Sequence, residues 1–235
     1  MSKQDMLQQG TRLVESSETV SAFWISTYPF FETTLYVLPC GESRGEVAQT
    51  FLTFFDPDGG VINKVKLQLP VGEIKKVDLN MLLGSCKIES GLRHAVMLVR
   101  SPLGTKHLCR ISNGRNSSVC GELQIFSDER TAFLPLSFSE KMTSLIPIVN
   151  FSENEVKVRC GLFFGEKNHK LEVTIPAQGT RLISVDAELF EVLELGDDEK
   201  KMAYLRVSTR SVGQLGLQML ECLSIKESDE YTMIC

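Results

Sequence analysis

The chain has few of the residues from which active sites and cofactor sites are commonly built. Its 235 residues include one tryptophan and three histidines, and the histidines lie far apart, at His94, His107 and His169. No cysteines or histidines stand at a metal-binding spacing such as CxxC or HxxxH. The signatures GxxxxGK[ST], GxSxG and HExxH are absent as well. The sequence therefore predicts no catalytic residue, no metal, no cofactor and no enzymatic activity.

Long apolar runs and an excess of basic residues are also missing. No stretch approaches the roughly 20 apolar residues that a membrane-spanning helix needs, and residues 1–19 show no secretory signal pattern. Asp and Glu outnumber Lys and Arg by 30 to 25, which gives a formal net charge of −5. A nucleic-acid footprint needs clustered basic residues. We therefore predict neither membrane insertion nor a nucleic-acid partner.

What the chain does contain is a repeated order of landmarks over roughly ninety residues. Ala22-Phe23 matches Ala132-Phe133, 110 residues later, and Ala95–Val99 matches Ala203–Val207, 108 residues later. The landmarks between them are Leu35–Leu38 with Leu145–Ile148, Phe54-Phe55 with Phe163-Phe164, Pro70 with Pro176, and Asp78 with Asp186. So steady an offset needs only small insertions, which belong in loops. The sequence predicts an internal duplication.

Each half has the pattern of an antiparallel β-sandwich. Apolar and polar residues alternate over residues 65–69 and again over 171–175, which is typical of strands with one buried face. Turns rich in Gly and Pro separate the strands, as at residues 56–60. Asp78 can cap a short helix, and Asp186 stands at the matching place. The predicted fold class is all-β: two tandem antiparallel β-sandwich domains with few short helical turns.

These elements predict four segments along the chain. They are a flexible leader at residues 1–19, a first sandwich repeat at 20–126, a second at 131–225, and a tail at 226–235. A strand at Val119–Phe126 is expected to close the first repeat.

The seven cysteines favour reduced thiols. A duplicated domain held by disulfides should repeat its cysteine positions, but the places that match Cys40, Cys86 and Cys109 hold Asn150, Glu194 and Leu217. Because reduced thiols are typical of the cytosol, we predict a cytoplasmic protein.

Some pairs of residues could support chemistry on paper. His107 and Cys109 share one side of a predicted strand, which could begin a metal site or a Cys–His nucleophile pair, but no further ligand or orienting residue is suggested. Asp56 and Asp58 could contribute oxygen ligands to Ca²⁺, although acids at a hairpin tip usually shape the turn. Asn116 and Asn150 begin glycosylation sequons, which we interpret as coincidence in the absence of a signal peptide.

The landmark order resembles known families. It runs Phe54-Phe55, Leu69-Pro70-Val71-Gly72 and Val77-Asp78-Leu79 in the first half, and Phe163-Phe164, Ile175-Pro176-Ala177-Gln178-Gly179 and Val185-Asp186 in the second. It is similar to small bacterial β-sandwich repeats that occur in tandem, and to the soluble transducer proteins associated with microbial sensory rhodopsins. The resemblance implies a non-enzymatic binding or assembly module of prokaryotic origin, and it leaves both a signalling role and a structural role open.

The stretch from Phe23 to Phe31 holds more aromatic residues than one strand needs. Aromatic side chains provide anchoring area at interfaces, so the candidate partner or ligand surface is Trp24, Tyr28, Phe30 and Phe31. The alternative is that Trp24 and Phe30 fill the first core. The predicted function is a non-catalytic binding or assembly module that engages a protein partner or a second copy. The alternative function is recognition of a small ligand or carbohydrate.

Overall fold

The computed structural model describes residues 18–26, 31–39, 46–84, 94–112, 117–120, 122–127, 131–138, 142–164, 166–185, 201–209, 214–217, 220–224 and 231–233. Strands dominate this part of the chain, so the all-β prediction is confirmed. Contacts divide the chain into two compact units, residues 1–114 with 118–123 and residues 115–117 with 124–235. Within the described residues, no helix has the length and apolar character needed to cross a membrane.

The first unit is built from two four-stranded antiparallel sheets. Its strands are β1 (Glu18–Ser26), β2 (Glu32–Leu38), β3 (Val47–Phe55), β4 (Val61–Pro70), β5 (Lys75–Asp78), β6 (His94–Pro102), β7 (Lys106–Ser112) and β8 (Ser117–Cys120). One sheet has the order β1-β6-β3-β4 and the other has the order β5-β2-β7-β8.

The second unit contains a four-stranded sheet and a six-stranded one. Its strands are β9 (Gln124–Ser127), β10 (Thr131–Phe138), β11 (Met142–Asn150), β12 (Val156–Phe164), β13 (Lys167–Ile175), β14 (Thr180–Val185), β15 (Lys201–Thr209), β16 (Gln214–Leu217), β17 (Leu220–Ser224) and β18 (Tyr231–Met233). The four-stranded sheet has the order β10-β15-β12-β13. The other has the order β18-β17-β11-β16-β9, with β14 also paired to β11.

Side-chain alternation places rows of residues from neighbouring strands in a core. In the first unit Phe23, Met97 and Phe54 lie side by side across β1, β6 and β3, and all three are fully buried. In the second unit Leu134 and Leu162 flank Leu205 in the same way. Burying a side chain of this size stabilises the fold by about 1.5–3 kcal/mol, so these rows fix which face of each sheet is turned inward.

The two units share a strand order but not the predicted alignment of landmarks. The order β1-β6-β3-β4 has its counterpart in β10-β15-β12-β13. Met97 pairs with Phe54 in the first unit, and Leu205 pairs with Leu162 in the second. If Met97 is matched with Leu205, Phe54 therefore corresponds to Leu162 and not to Phe163. Shifting by one residue moves a side chain to the opposite face of a sheet. The predicted match of Phe54-Phe55 with Phe163-Phe164 was therefore one residue out of register. The internal duplication stays a prediction.

The strand predicted at Val119–Phe126 is in fact two strands in different units. Strand β8 belongs to the first unit and β9 pairs with β16 of the second. Between them Leu123 is buried, and its amide donates to the carbonyl oxygen of Ala22 at 2.9 Å. Glu122 and Leu123, between β8 and β9, belong to neither strand.

The short helix predicted after Asp78 is confirmed as α1 (Leu79–Gly84). The carboxylate oxygen Oδ1 of Asp78 accepts a hydrogen bond from the Met81 amide at 3.1 Å, which is N-terminal capping. Leu79 and Leu83 are buried. The matching helix predicted after Asp186 lies outside the described residues, as do the predicted leader up to residue 17 and most of the tail.

The turn at residues 56–60 is organised by the carboxylate of Asp56. Its Oδ1 accepts hydrogen bonds from the amides of Asp58 at 2.9 Å and Gly60 at 2.7 Å. A Cβ atom on Gly60 would lie 2.5 Å from Oδ2 of Asp56, so a larger residue there would displace the carboxylate that closes the turn. Among the described residues no group of three or more His, Cys, Asp or Glu is placed to hold a metal ion.

Asn150, the first residue of a sequon, is a buried structural residue at the end of β11. Its Nδ2 donates to the carbonyl oxygens of Asn154 at 2.8 Å and Pro176 at 2.9 Å, with a longer contact to that of Ile175 at 3.3 Å. Its Oδ1 accepts from the Ser152 amide at 2.9 Å. The side chain thus joins β11 to the turns on both sides of the β12-β13 hairpin. A buried, fully bonded amide cannot accept a glycan in the folded unit.

We expect Asn150→Ala to lower the free energy of unfolding of the second unit by about 2–3 kcal/mol. The substitution leaves part-buried backbone groups of Ser152, Asn154 and Pro176 without this partner, and each such group carries a desolvation penalty. Urea titration followed by circular dichroism measures the loss, and hydrogen exchange should show faster exchange around residues 150–154 and 175–179. The control Asn168→Ala removes an exposed amide from β13. Equal stability of the two variants would contradict the structural role of Asn150.

Candidate functional site

The aromatic segment predicted to form a docking surface is buried where it is described. Trp24 is 0% exposed and Phe31 is 1% exposed. The ring of Trp24 lies 6.1 Å from that of His94, on the neighbouring strand. Tyr28 and Phe30 lie outside the described residues. The surface interpretation is thereby corrected for Trp24 and Phe31, because a fully buried ring offers no contact area, and Trp24 takes the alternative role of filling the protein interior.

A chain of hydrogen bonds centred on His107 runs through the interior of the first unit. The imidazole nitrogens lie 2.7 Å (Nδ1) from Oγ of Ser21 and 2.9 Å (Nε2) from Oγ of Ser101. Ser101 Oγ is also 2.9 Å from Oγ1 of Thr50. At the other end Ser21 donates to Oε1 of the exposed Glu122 at 2.6 Å. The chain therefore joins strands of both sheets, β1, β3 and β6 on one side and β7 on the other.

The direction of donation along this chain follows from its carboxylate end. Because the Ser21 hydroxyl gives its proton to Glu122, its oxygen accepts from the protonated Nδ1 of His107. The other imidazole nitrogen, Nε2, then accepts from Ser101, whose oxygen accepts from Thr50. This order satisfies a neutral imidazole at both nitrogens. Burial lowers the pKa of His107 to about 4, which favours the same neutral form.

The arrangement of Ser21, His107 and Glu122 is not suited to nucleophilic catalysis. Ser21 is 2% exposed, so no substrate reaches its hydroxyl. The carboxylate contacts the serine, whereas in a hydrolase triad it orients the imidazole. Cys109 does share the inward face with His107, as predicted, but burial raises the pKa of its thiol and leaves it protonated and unreactive. Burial likewise raises the pKa of Cys160 to about 12.

We expect the first unit to lose about 2 kcal/mol of stability through His107 as the pH falls from 7 to 4. A histidine whose pKa is lower in the folded state contributes stability above its unfolded pKa of 6.5, and that stability is lost as the pH falls towards about 4. Each pKa unit is worth about 1.4 kcal/mol, and the figure is reduced because water still reaches the part-exposed ring.

The measurement compares wild type with His107→Gln, which can donate and accept but does not titrate. Urea unfolding is followed by the fluorescence of Trp24, the single tryptophan and a residue of the first unit. The stability difference between the two proteins should shrink with falling pH. His169→Gln, in the second unit, is the control. A difference that stays constant from pH 7 to 4 would show that His107 does not titrate as expected.

An exposed aromatic surface lies on the four-stranded sheet of the second unit. Three aromatic side chains are exposed among the described residues, namely Phe51, Phe133 and Tyr204. Phe133 at 59% and Tyr204 at 45% both belong to this sheet. Strand register places them on the face opposite the core. We call this surface the aromatic face. Its positions are Thr131, Phe133, Pro135, Lys157, Arg159, Gly161, Phe163, Asn168, Lys170, Glu172, Thr174, Met202, Tyr204, Arg206 and Ser208.

The rings of the aromatic face contact one another. Phe163 and Tyr204 are direct partners across β12 and β15, and their rings stack with centroids 4.9 Å apart at an angle of 10°. Phe133 lies beside Tyr204 with a centroid separation of 6.1 Å. The guanidinium carbon of Arg206 lies 5.7 Å from the centroid of Phe163, within the range of a cation–π contact. Three rings and one cation therefore form a single cluster.

Gly161 makes room for this cluster. A Cβ atom there would lie 2.8 Å from Cε2 of Phe163, closer than such atoms approach, so any larger residue would push the ring away. Phe163 therefore leans along β12 over the glycine, where Arg206 can cover it. The arrangement depends on a specific backbone position and not on the rings alone.

The aromatic face is basic although the whole chain is acidic. Its positions include the four cations Lys157, Arg159, Lys170 and Arg206 and the single carboxylate Glu172. Glu172 accepts a hydrogen bond from Arg159 at 3.2 Å, with both side chains more than half exposed. The face thus has a formal charge of +3 on a chain whose net charge is −5.

Sequence reasoning missed this surface. Its rings come from three strands and are separated by 30 or more positions along the chain, so no local window shows them together. One signal was present. In β12 the polar row of the alternation ends in Gly161 and Phe163, and a glycine within a strand often marks a close approach.

Comparisons with known proteins add little to these observations. No protein-family model matches the chain, and no curated protein matches it significantly in sequence. Among solved structures it is similar to one of infectious bursal disease virus strain Gx, with 8% identity over 87% of this chain and 70% of that chain and a TM-score of 0.25.

A second similar structure is that of the infectious bursal disease virus VP2 subviral particle, with 9% identity, coverage of 87% of this chain and 57% of that chain, and a TM-score of 0.22. Likeness at TM-scores this low carries no argument about fold or function. The resemblance to tandem bacterial sandwich repeats and rhodopsin transducers stays a prediction.

Proposed function

We propose that this protein is a non-catalytic binding module and that the aromatic face of the second unit is where its partner docks. The observation that carries the proposal is the cluster of the exposed Phe133 and Tyr204 with the half-buried Phe163, in contact with Arg206. Aromatic residues and arginine are the side chains most enriched at the energetic centres of interfaces. The cluster is pre-ordered by ring stacking, so little side-chain freedom remains to be lost on binding.

The cluster lies outside the described core of its unit. That core is on the other side of the sheet, where Leu134, Leu162 and Leu205 are buried. Moving Phe133 and Tyr204 out of contact with water would be favourable, at about 25 cal/mol per Å² of apolar surface. A face that retains such surface is suited to intermolecular contact.

Association through sheet edges is a weaker basis for assembly. The edge strands β4 and β13 carry Lys64, Lys66, Lys167 and Lys170. Lysines on an edge oppose strand-to-strand pairing between chains. Assembly with a second copy would therefore use a face in preference to these edges.

The aromatic face also fits a neutral carbohydrate poorly. Sugars stack on exposed rings but also need polar groups that converge on their hydroxyls, and site chemistry of this kind depends on a few well-placed acceptors. The one carboxylate on the face, Glu172, is held by Arg159. Cations outnumber it by four to one. The carbohydrate alternative therefore has less support than a charged partner.

The test is site-specific photo-crosslinking of the full chain in its native cell. A benzoyl-phenylalanine placed at Phe133 should form adducts, because this position is 59% exposed and lies at the edge of the ring cluster. The matched control is the same residue at Leu103, which is 67% exposed in a turn of the first unit.

Adducts that appear from position 133 and not from position 103, and that are lost with Tyr204→Ser, support docking at the aromatic face. The same adducts from both positions, or none from position 133, would contradict it.

A further inference from the structure

We propose that the aromatic face binds single-stranded nucleic acid, with its rings stacking on unpaired bases and its cations holding the phosphates. This inference rests on the proposed function, since it names the partner of the same face. It concerns the second unit alone.

The charge of the face selects an anionic partner. Its four cations against one carboxylate give it a sign opposite to that of the whole chain. A partner with a purely apolar surface would desolvate Arg206 and Lys170 when it docks, which is costly without a compensating anion. A phosphate backbone supplies anions at regular intervals and gains from release of its own counterions.

The position of the rings beside the cations favours an anionic partner that also has flat apolar groups. Tyr204 and Phe163 lie on the two central strands, and Arg206 and Lys170 occupy the next row of the same face. Neighbouring strands are about 4.8 Å apart, and same-face residues are about 7 Å apart along a strand. Phe163 is covered by Tyr204 and Arg206. The rings left to contact a base are the exposed Phe133 and Tyr204, and each has a cation within reach of one nucleotide. Bases stack on aromatic side chains without regard to sequence, while the charges follow the backbone.

The open sheet selects single strands over duplexes. Bases in a duplex are stacked on one another, and the major groove admits a two-stranded ribbon, whereas this face spans four strands. Single strands can splay their bases outward onto exposed rings. An acidic peptide would satisfy the cations but would make no use of the exposed rings of Phe133 and Tyr204.

This inference reverses the expectation from overall charge. Lys157, Arg159, Lys170 and Arg206 are dispersed over some fifty positions of the sequence, so no basic cluster is visible along the chain. Pairing of β13, β12 and β15 brings them to one face. Net charge reports the average surface, whereas binding depends on the local one.

The experiment measures fluorescence anisotropy of the full chain with labelled oligo(dT) and oligo(rU) of about 12 nucleotides, within the usual range of site sizes. Both should bind, and the logarithm of the association constant should fall against the logarithm of salt concentration with a slope of about −2 to −3, as expected for three or four phosphates. A duplex of the same length and poly-glutamate are measured in parallel.

Two kinds of variant separate the rings from the charges. Tyr204→Leu should weaken oligonucleotide binding at least about fivefold with little change in the salt slope, because it removes stacking alone. Lys170→Gln should reduce the slope by about 0.7. The controls are Leu171→Ala, an exposed apolar residue on the opposite side of β13, and Lys106→Gln in the first unit. Phe133→Leu provides a second ring variant at a more exposed position.

Failure of this inference can be told apart from failure of the proposed function. Tight binding of duplex or poly-glutamate that ring variants leave unchanged would overturn the inference in favour of simple charge attraction. Absence of oligonucleotide binding, with nuclease-resistant adducts still formed from position 133, would overturn it while the binding module stands. Nuclease-sensitive adducts and a ring-dependent affinity support it.

Discussion

The pairing of β12 with β15 is the constraint on which the second unit depends. Leu162 opposite Leu205 faces the core, and Phe163 opposite Tyr204 is turned to the other side, so one register determines both the core and the aromatic face. A slip of one residue would bury Arg206 and expose Leu205. Because a buried unpaired cation is far more costly than a lost contact, the core that stabilises the fold also holds the rings and cations in place.

In the first unit, polar groups in the interior connect the two sheets. His107 on β7 bonds to serines of the opposite sheet, whereas Leu215, 108 residues later on β16, is fully buried in an apolar core. A hydrogen-bonded imidazole accepts fewer relative positions of the two sheets than a leucine does, since its nitrogens must both find partners. At Leu215, in the described part of the second unit, the core is apolar. The hydrogen bonds of His107 thus restrict the geometry of the first unit in a way that apolar packing does not.

How much could be predicted depended on whether the signal was local. Alternation and turn residues predicted the all-β class, a strand that contains His107 and Cys109, and the capped helix after Asp78, because each is determined within a few residues. The register between strands that are distant in the sequence could not be predicted from local patterns, which is why Phe163 was matched with Phe54. Trp24 was assigned to a surface because composition cannot distinguish an anchoring ring from a buried one. The aromatic face was missed for the same reason as the register, since only strand pairing brings Tyr204 to Phe163.

The ring and cation contacts of the aromatic face also explain how so apolar a surface can stay in water. Arg206 over Phe163 covers part of one ring with a well-hydrated group, and Tyr204 covers another part. The first unit has a simpler version, in which Nζ of Lys66 lies 5.6 Å from the ring of the exposed Phe51. A partner that brings both phosphates and flat bases can replace hydration of the cation and of the ring in one step. A partner that offers only charge, or only apolar surface, would leave one of the two groups worse solvated than before, and this difference is the physical basis of the proposal that a nucleic-acid strand docks here.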